Sequence, residues 1–243
     1  MSKYLQYQQA MERTLEDNAF IAGVYRLLVL SLIAGAAGAW VGLQTGITAQ
    51  YFWQVMGANV IALIFAAIVQ KIRGVNFLAL FAFAGISGLS LSIPLGMMIA
   101  KGYGEVIIPG FALTAGLFTL LSIYVHLKGS DFSCMGGFLF AGLCVAVAGW
   151  CFNAFFPFAV PMQVLGWSCL GVLLFAGWVL FDTSVLINHL GPDDTVQGAL
   201  SLYLDIFNML FNLLRAVLEM FANSSSGMDW DFGFDFFSFF DFF

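Results

Sequence analysis

The sequence predicts an all-α integral membrane protein with seven spanning helices, and three observations carry that prediction. Of the 243 residues, 61% are hydrophobic and only 9% are charged, against roughly 25% charged in an ordinary soluble domain. The mean hydropathy is +0.95. Long stretches without a single charge alternate with short polar breaks. Eight Lys and Arg with fourteen Asp and Glu cannot clothe a soluble globule of 26.5 kDa in solvated ions. A soluble enzyme, a nucleic-acid-binding protein and a disordered chain are thereby excluded.

The spans follow from the borders that charged residues draw, since about 20 apolar residues cross a hydrocarbon core about 30 Å thick. Residues 1–19 precede the first span as a cytoplasmic N-terminal segment. There Lys3 and Arg13 face Glu12, Glu16 and Asp17, so the segment lacks the positive excess of a signal peptide, and the apolar run that follows is too long for one. The spanning bundle covers residues 20–221. Its first segment runs from Phe20 to Leu43, interrupted only by Arg26, and its second from Tyr51 to Gln70, closed by Lys71 and Arg73. The third is Val75 to Ala100, ending at Lys101, and the fourth is Val106 to Val125, followed by His126, Lys128 and Asp131. From Phe132 to Phe181 no charge occurs. That run suits two spans, with a break near Asn153 to Pro161 where Pro157 and Pro161 flank an aromatic turn. The seventh segment, about Val196 to Phe221, carries Asp205, Arg215 and Glu219.

Lys3, Arg13, Lys71, Arg73 and Lys128 fall on one side of this arrangement and Lys101 on the other. The positive-inside rule places the richer side, with the N-terminus, in the cytoplasm. Small residues recur at four-residue spacing, at Ala34, Gly38, Gly42 and Gly46 and again at Gly88, Ser92 and Gly96. Such ridges let helix backbones approach closely, and packing within one bundle explains them. Cys134, Cys144, Cys151 and Cys169 lie in or beside apolar stretches and form no C-x-x-C pair. They are expected as buried, packed thiols rather than metal ligands.

The chemistry concentrates late in the chain, where Asp182 and Asp205 interrupt otherwise apolar helices on either side of the polar turn Gly191-Pro192-Asp193-Asp194. If the helices run antiparallel from that turn, Asp182 lies about 10 Å from it and Asp205 about 15 Å, at 1.5 Å per residue. Two acids at one depth on adjacent helices can share a site. A carboxylate in lipid must be paired, protonated or hydrated, and two coupled acids titrate as a unit in two macroscopic steps. Such a pair makes a proton switch. Deprotonated, it presents the hard oxygen ligands that suit Ca²⁺.

These residues carry a resemblance. Phe181-Asp182-Thr183-Ser184, the acidic turn Asp193-Asp194, Ala199-Leu200-Ser201-Leu202-Tyr203-Leu204-Asp205-Ile206, and then Asn208, Asn212, Leu213, Leu214 and Arg215 resemble the Bax inhibitor-1 (transmembrane Bax-inhibitor-motif) family. Val24-Tyr25-Arg26-Leu27-Leu28 resembles that family's first-helix opening. The resemblance implies six helices around a central C-terminal seventh, with Asp182 and Asp205 as a proton-sharing pair that gates a calcium leak. Some members latch the pair with a basic residue inside the second helix. Here residues 52–70 hold no charge, only Gln54, Asn59 and Gln70, so the latch falls to Lys71 or Arg73 reaching inward, or to Asn59.

The remaining polar residues have simpler readings. His126 is an interfacial residue at a helix end, and His189 is a solvated histidine of the last turn. Arg215 snorkels from the outer end of the seventh span with Glu219 beside it. Tyr51, Trp53, Trp150 and Trp167 are interfacial or packing aromatics. Residues 222–243 form an acidic, aromatic, low-complexity tail with no Lys or Arg, read as an interfacial or disordered segment or a docking peptide. No Ser-His-Asp arrangement, H-E-x-x-H or P-loop occurs, so no enzymatic activity and no permanently bound cofactor are expected.

The expected function is therefore a pH-sensitive cation leak in which Ca²⁺ and protons are the small partners and the bilayer the large one. The alternative is a regulatory protein that binds a membrane partner, as the resemblance suggests for an ATP-dependent inner-membrane zinc protease or for cell-death machinery. The short N-terminal segment leans toward a bacterial inner membrane, with the endoplasmic reticulum or another intracellular membrane as the alternative. Topology can be checked directly. A reporter fused after Phe243 should be active only outside the cytoplasm, and cytoplasmic activity would replace the seventh crossing with a re-entrant segment.

Overall fold

The computed structural model describes residues 2–155 and 161–224. Among the described residues there are eight α-helices and no strand: α1 (Ser2–Thr45), the short α2 (Ile47–Gln50), α3 (Phe52–Val69), α4 (Val75–Ala100), α5 (Gly104–Lys128), α6 (Gly136–Phe155), α7 (Pro161–Asn188) and α8 (Thr195–Ser224). Three-residue 3-10 turns at Ser133–Met135 and Pro192–Asp194 precede α6 and α8. The protein is an all-α integral membrane protein.

Six of these helices are long and apolar enough to cross a bilayer: Leu15–Thr45 of α1, α3, α4, α5, Leu165–Asn188 of α7, and Pro192–Leu218 at the start of α8. α6 is the additional apolar helix. Its 20 residues give a length of about 30 Å, close to the hydrocarbon thickness. The third span has the bounds that the charges predict. The N-terminal segment does not stand apart, because the helix starts at Ser2 and runs unbroken into the first span. Residues 2–19 contain neither Gly nor Pro, the two residues that most disfavour a helix interior. The break between the fifth and sixth spans falls on residues 156–160, outside the described residues. So does most of the tail, although α8 continues into it as far as Ser224.

The ends of the helices follow local chemistry. α5 stops at Gly129, whose φ of 59° is open to a residue without Cβ and whose N–H donates to the Val125 carbonyl at 3.0 Å. Between α3 and α4 the chain turns through Lys71 to Gly74, where Gly74 has a φ of 86°.

The chain divides into two compact units, residues up to Met97 with Leu186–Tyr203, and Met98–Val185 with the residues from Leu204 on. In the first unit α1 and α4 pack through their small residues. A Cβ on Gly38 would strike the Gly85 carbonyl, one on Gly88 the Gly35 carbonyl, and one on Gly42 the Ser92 hydroxyl. The four-residue ridges are thus an internal contact between α1 and α4. Beside it the Ser92 hydroxyl donates to Thr48 Oγ1 at 3.1 Å, and Thr48 to the Leu89 carbonyl at 3.2 Å. The second unit has a core of Phe175 and Val179 from α7 with Met209 from α8, against which Leu117, Leu121 and Leu213 pack.

Burial separates the spans sharply. In α8 78% of the spanning window is buried and in α4 67%, against 22% in α3 and in α5. A deeply buried C-terminal span agrees with the expectation, and α4 joins it as a second interior helix. The cysteine expectation is corrected: Cys134, Cys144 and Cys169 are free and exposed, while the Cys151 side chain lies outside the described residues. In a membrane protein an apolar outer face meets hydrocarbon, so a thiol there needs no protein around it.

The α1–α4 contact generates a paired prediction. Gly88→Ala must displace backbone and should lower the stability of the purified protein by about 1–3 kcal/mol, the usual cost of overpacking. Gly57→Ala, on a helix face with nothing within 4 Å of the added atom, should be neutral or gain up to about 1 kcal/mol from helix propensity. Thermal unfolding in detergent reads both. Equal behaviour of the two variants would refute the close approach.

Candidate functional site

Asp182 lies near the end of α7 and Asp205 in the first half of α8. The turn between these helices is closed by its own side chains. Gly191 is extended, and the Asp194 N–H donates to the Gly191 carbonyl at 2.8 Å. Asp194 Oδ2 accepts the Gly191 N–H at 3.3 Å, and the Thr195 hydroxyl donates to the Pro192 carbonyl at 2.9 Å. Farther along the helices, within the second unit, the two aspartates meet in a side-chain hydrogen bond. A hydrogen bond between two carboxyls requires a proton on one of them. The structure therefore brings together the two acids that the sequence singles out.

Asp205 is buried, and its Oδ2 has no protein partner. Asp182 is half-buried. Ser122 Oγ, Trp178 Nε1 and Thr183 Oγ1 of the same unit are also buried without a protein hydrogen bond. Buried polar atoms are nearly always satisfied, so these positions point to ordered water. Among the described residues no group of three or more His, Cys, Asp or Glu side chains comes together as a metal site.

The candidate latch residues have other partners. Arg73 Nη2 lies 2.9 Å from Asp193 Oδ1, and Lys71 Nζ lies 3.9 Å from Asp194 Oδ1. Both pairs join the α3–α4 turn to the turn before α8, on the side that the charge rule makes cytoplasmic. Their side chains are largely exposed apart from that of Asp194, and such ion pairs contribute little to stability. In place of an inward reach, Lys71 and Arg73 form a surface tie to the acidic turn. Asn59 is buried on α3, with its Oδ1 unpartnered.

Three features escaped the sequence reading. The first is a clasp beside the pair, where the Phe132 N–H donates to Ser184 Oγ at 2.8 Å and the Ser184 hydroxyl to Asp131 Oδ1 at 3.3 Å. It ties the α5–α6 turn to α7 two residues beyond Asp182. The second is a polar seam on α8. Asp205, Asn208, Asn212 and Arg215 follow at spacings of three and four and so share one helix face. Asn208 and Asn212 are buried, and the Asn212 amide donates to the Asn208 carbonyl at 3.0 Å. That spacing was the available signal. The third concerns Arg215, which is half-buried and lines a cavity of the second unit. It belongs to the seam, and that face is turned inward. His189 is exposed, as expected of a turn histidine, and His126 Nδ1 lies 2.8 Å from the Ser122 carbonyl. Trp53 and Tyr51 are exposed, whereas Trp167 lines the cavity; the Trp150 side chain lies outside the described residues.

Comparison with known proteins shows the family. The family model described as inhibitor of apoptosis-promoting Bax1 matches residues 17–224. A Campylobacter jejuni protein is 35% identical over 213 residues, covering 84% of this chain and 89% of that one. A membrane protein of Vibrio cholerae is 32% identical over 217 residues, 88% of this chain and 95% of its own. Bax inhibitor 1 of Schizosaccharomyces pombe is 28% identical over 151 residues, 62% of this chain and 54% of its own. A match that spans every membrane helix and both aspartates makes this chain a member of the Bax inhibitor-1 family.

Proposed function

We propose that this protein is a proton-gated cation leak pathway, with Ca²⁺ as the transported ion and the Asp182–Asp205 pair as the gate. The hydrogen bond between two carboxyls inside membrane-spanning helices is the observation that carries the reading. With one proton shared, the pair bears a single negative charge and bridges α7 to α8. When that proton leaves, two like charges stand in a medium of low dielectric, where their repulsion is far stronger than in water. Separation of the helices and admission of water or a cation relieve it. Ca²⁺ takes six to eight oxygen ligands, more than two carboxylates provide. The pair accordingly suits an ion in passage, hydrated on its remaining sides, rather than a resident one. In this reading the protein acts as a conduit in a membrane, and its bacterial relatives favour a bacterial inner membrane.

A second reading is a regulator of another membrane protein. The acidic aromatic tail in the sequence and the name Bax inhibitor 1 borne by the yeast relative favour it. Flux in liposomes holding only this protein separates the two readings.

Ca²⁺-dye uptake into proteoliposomes at a series of pH values tests the gate. Wild-type uptake should fall toward acid, where the shared proton is retained, and rise as the pair loses it. Asp205→Asn and Asp182→Asn each leave one ionisable carboxyl, so each should flatten that profile. The double variant should add little, the non-additivity expected of groups that act as a unit. An unchanged pH profile in folded single variants would overturn the pair as the gate. Absence of flux in the wild type would overturn the channel and leave the regulator.

A further inference from the structure

Within the second unit, the turn from α5 into α6 grips the end of α7. The Phe181 ring is seated against Gly136, where an added Cβ would lie 2.8 Å from Phe181 Cε2. Three residues on, Ser184 Oγ accepts the Phe132 N–H at 2.8 Å and its hydroxyl donates to Asp131 Oδ1 at 3.3 Å. The same Asp131 oxygen accepts the Ser133 N–H at 2.8 Å. Behind the turn, the Phe132 ring lies 6.0 Å from that of Tyr124 on α5, between centroids. Asp131 is exposed and Ser184 is buried, so a surface turn reaches inward to hold a hydroxyl of the spanning helix.

Phe181 and Ser184, three apart, share one face of α7. Asp182, which bonds Asp205 of α8, does not. At 3.6 residues per turn Ser184 stands about 200° around the helix from Asp182, nearly opposite it. The clasp and the carboxyl bridge therefore hold α7 from two sides at one level. A hydrogen bond between two carboxyls is directional, so it demands one rotation of α7 about its own axis. We propose that Ser184 is a positioning residue: its bonds to Phe132 and Asp131 fix the rotation that aims Asp182 at Asp205. The inference rests on the reading of that pair as the gate, and within it the clasp keeps the protonated pathway shut. Released from the turn, the end of α7 makes the carboxyl bridge only part of the time, and the closed state leaks. Asp131 acts in this by its oxygen as an acceptor and not by its charge.

Full-length protein in liposomes carries the test, at one acid pH where wild-type Ca²⁺ uptake is low. Ser184→Ala removes the buried end of the clasp and Asp131→Ala the exposed end, while Asp131→Asn keeps the acceptor oxygen and drops the charge. Each alanine variant should raise acid uptake about fivefold, the equilibrium weight of one hydrogen bond. Amide hydrogen exchange over residues 180–188 should quicken by a similar factor. The infrared band of the hydrogen-bonded carboxyl pair, identified by its loss in Asp182→Asn, should weaken and broaden in both. Asp131→Asn should restore all three readings. An unchanged carboxyl band in folded Ser184→Ala would overturn the positioning role. An effect of Asp131→Ala without one of Ser184→Ala would assign it to the Ser133 N–H bond and overturn the clasp, and Asp131→Asn behaving as Asp131→Ala would assign it to charge and do the same. Wild-type protein without flux, whose carboxyl band still weakens in Ser184→Ala, would remove the gate and uphold the positioning of the pair.

Discussion

Hydrocarbon offers a polar group no partner, so every such group on a spanning helix must find one inside the protein. α8 feels this requirement most. Its spanning window has a mean hydropathy of 1.3, against 1.9–2.1 for the other spans, yet it is the most buried of them. The least lipid-soluble helix is the one withdrawn from lipid. α4 follows the same logic through Ser87, Ser90 and Ser92, all buried. In the first unit the Ser87 hydroxyl lies 2.6 Å from the Tyr203 hydroxyl of α8, which also donates to the Ala84 carbonyl at 3.2 Å. Both interior helices are thus the ones whose side chains need protein around them.

Glycine makes that enclosure possible in two ways. Between α1 and α4 the glycines let backbone meet backbone, and the facing atoms at Gly38 and Gly88 are carbonyls. In the second unit the glycines instead receive side chains. Gly110 faces Leu214, Gly136 faces Phe181, Gly149 faces Trp167 and Gly171 faces the Asn212 amide. The first arrangement closes a seam. The second seats large or polar side chains against a helix without pushing it away, and along α6 and α7 it leaves room beside them. The same residue type read along the sequence gives no hint of which use applies, because the difference lies in the facing helix.

Much of this architecture was legible from charge alone. α4 could be bounded at Val75 and Ala100 because Arg73 and Lys101 stand beside its ends, and charged residues do not stay in the hydrocarbon. Asp182 and Asp205 were legible for the same reason. What remained hidden depended on facing surfaces. The exposed cysteines were read as buried because an apolar neighbourhood means interior in a soluble protein and either interior or lipid in a membrane one. Arg215 was read by its distance from the end of the span, whereas its place follows from the seam it shares with Asp205, Asn208 and Asn212. Lys71 and Arg73 were read by proximity in the chain to a span that lacks a base, and the acidic turn that engages them is more than a hundred residues away.

The engagement of Lys71 and Arg73 by the acidic turn leaves the proposed gate to hold itself shut by its proton. A proton between two carboxyls removes one charge and bridges both groups, so the closed arrangement needs no internal cation. A gate latched by a base inside the membrane would keep an attractive interaction after the proton left, because the base would still face two carboxylates. In this chain α3 carries no charge, and the bases of the following turn lie against Asp193 and Asp194. Loss of the shared proton would then turn a bridge into a repulsion with nothing on α3 to offset it. A pathway of this build answers to proton concentration more directly than one in which a base on α3 latches the pair.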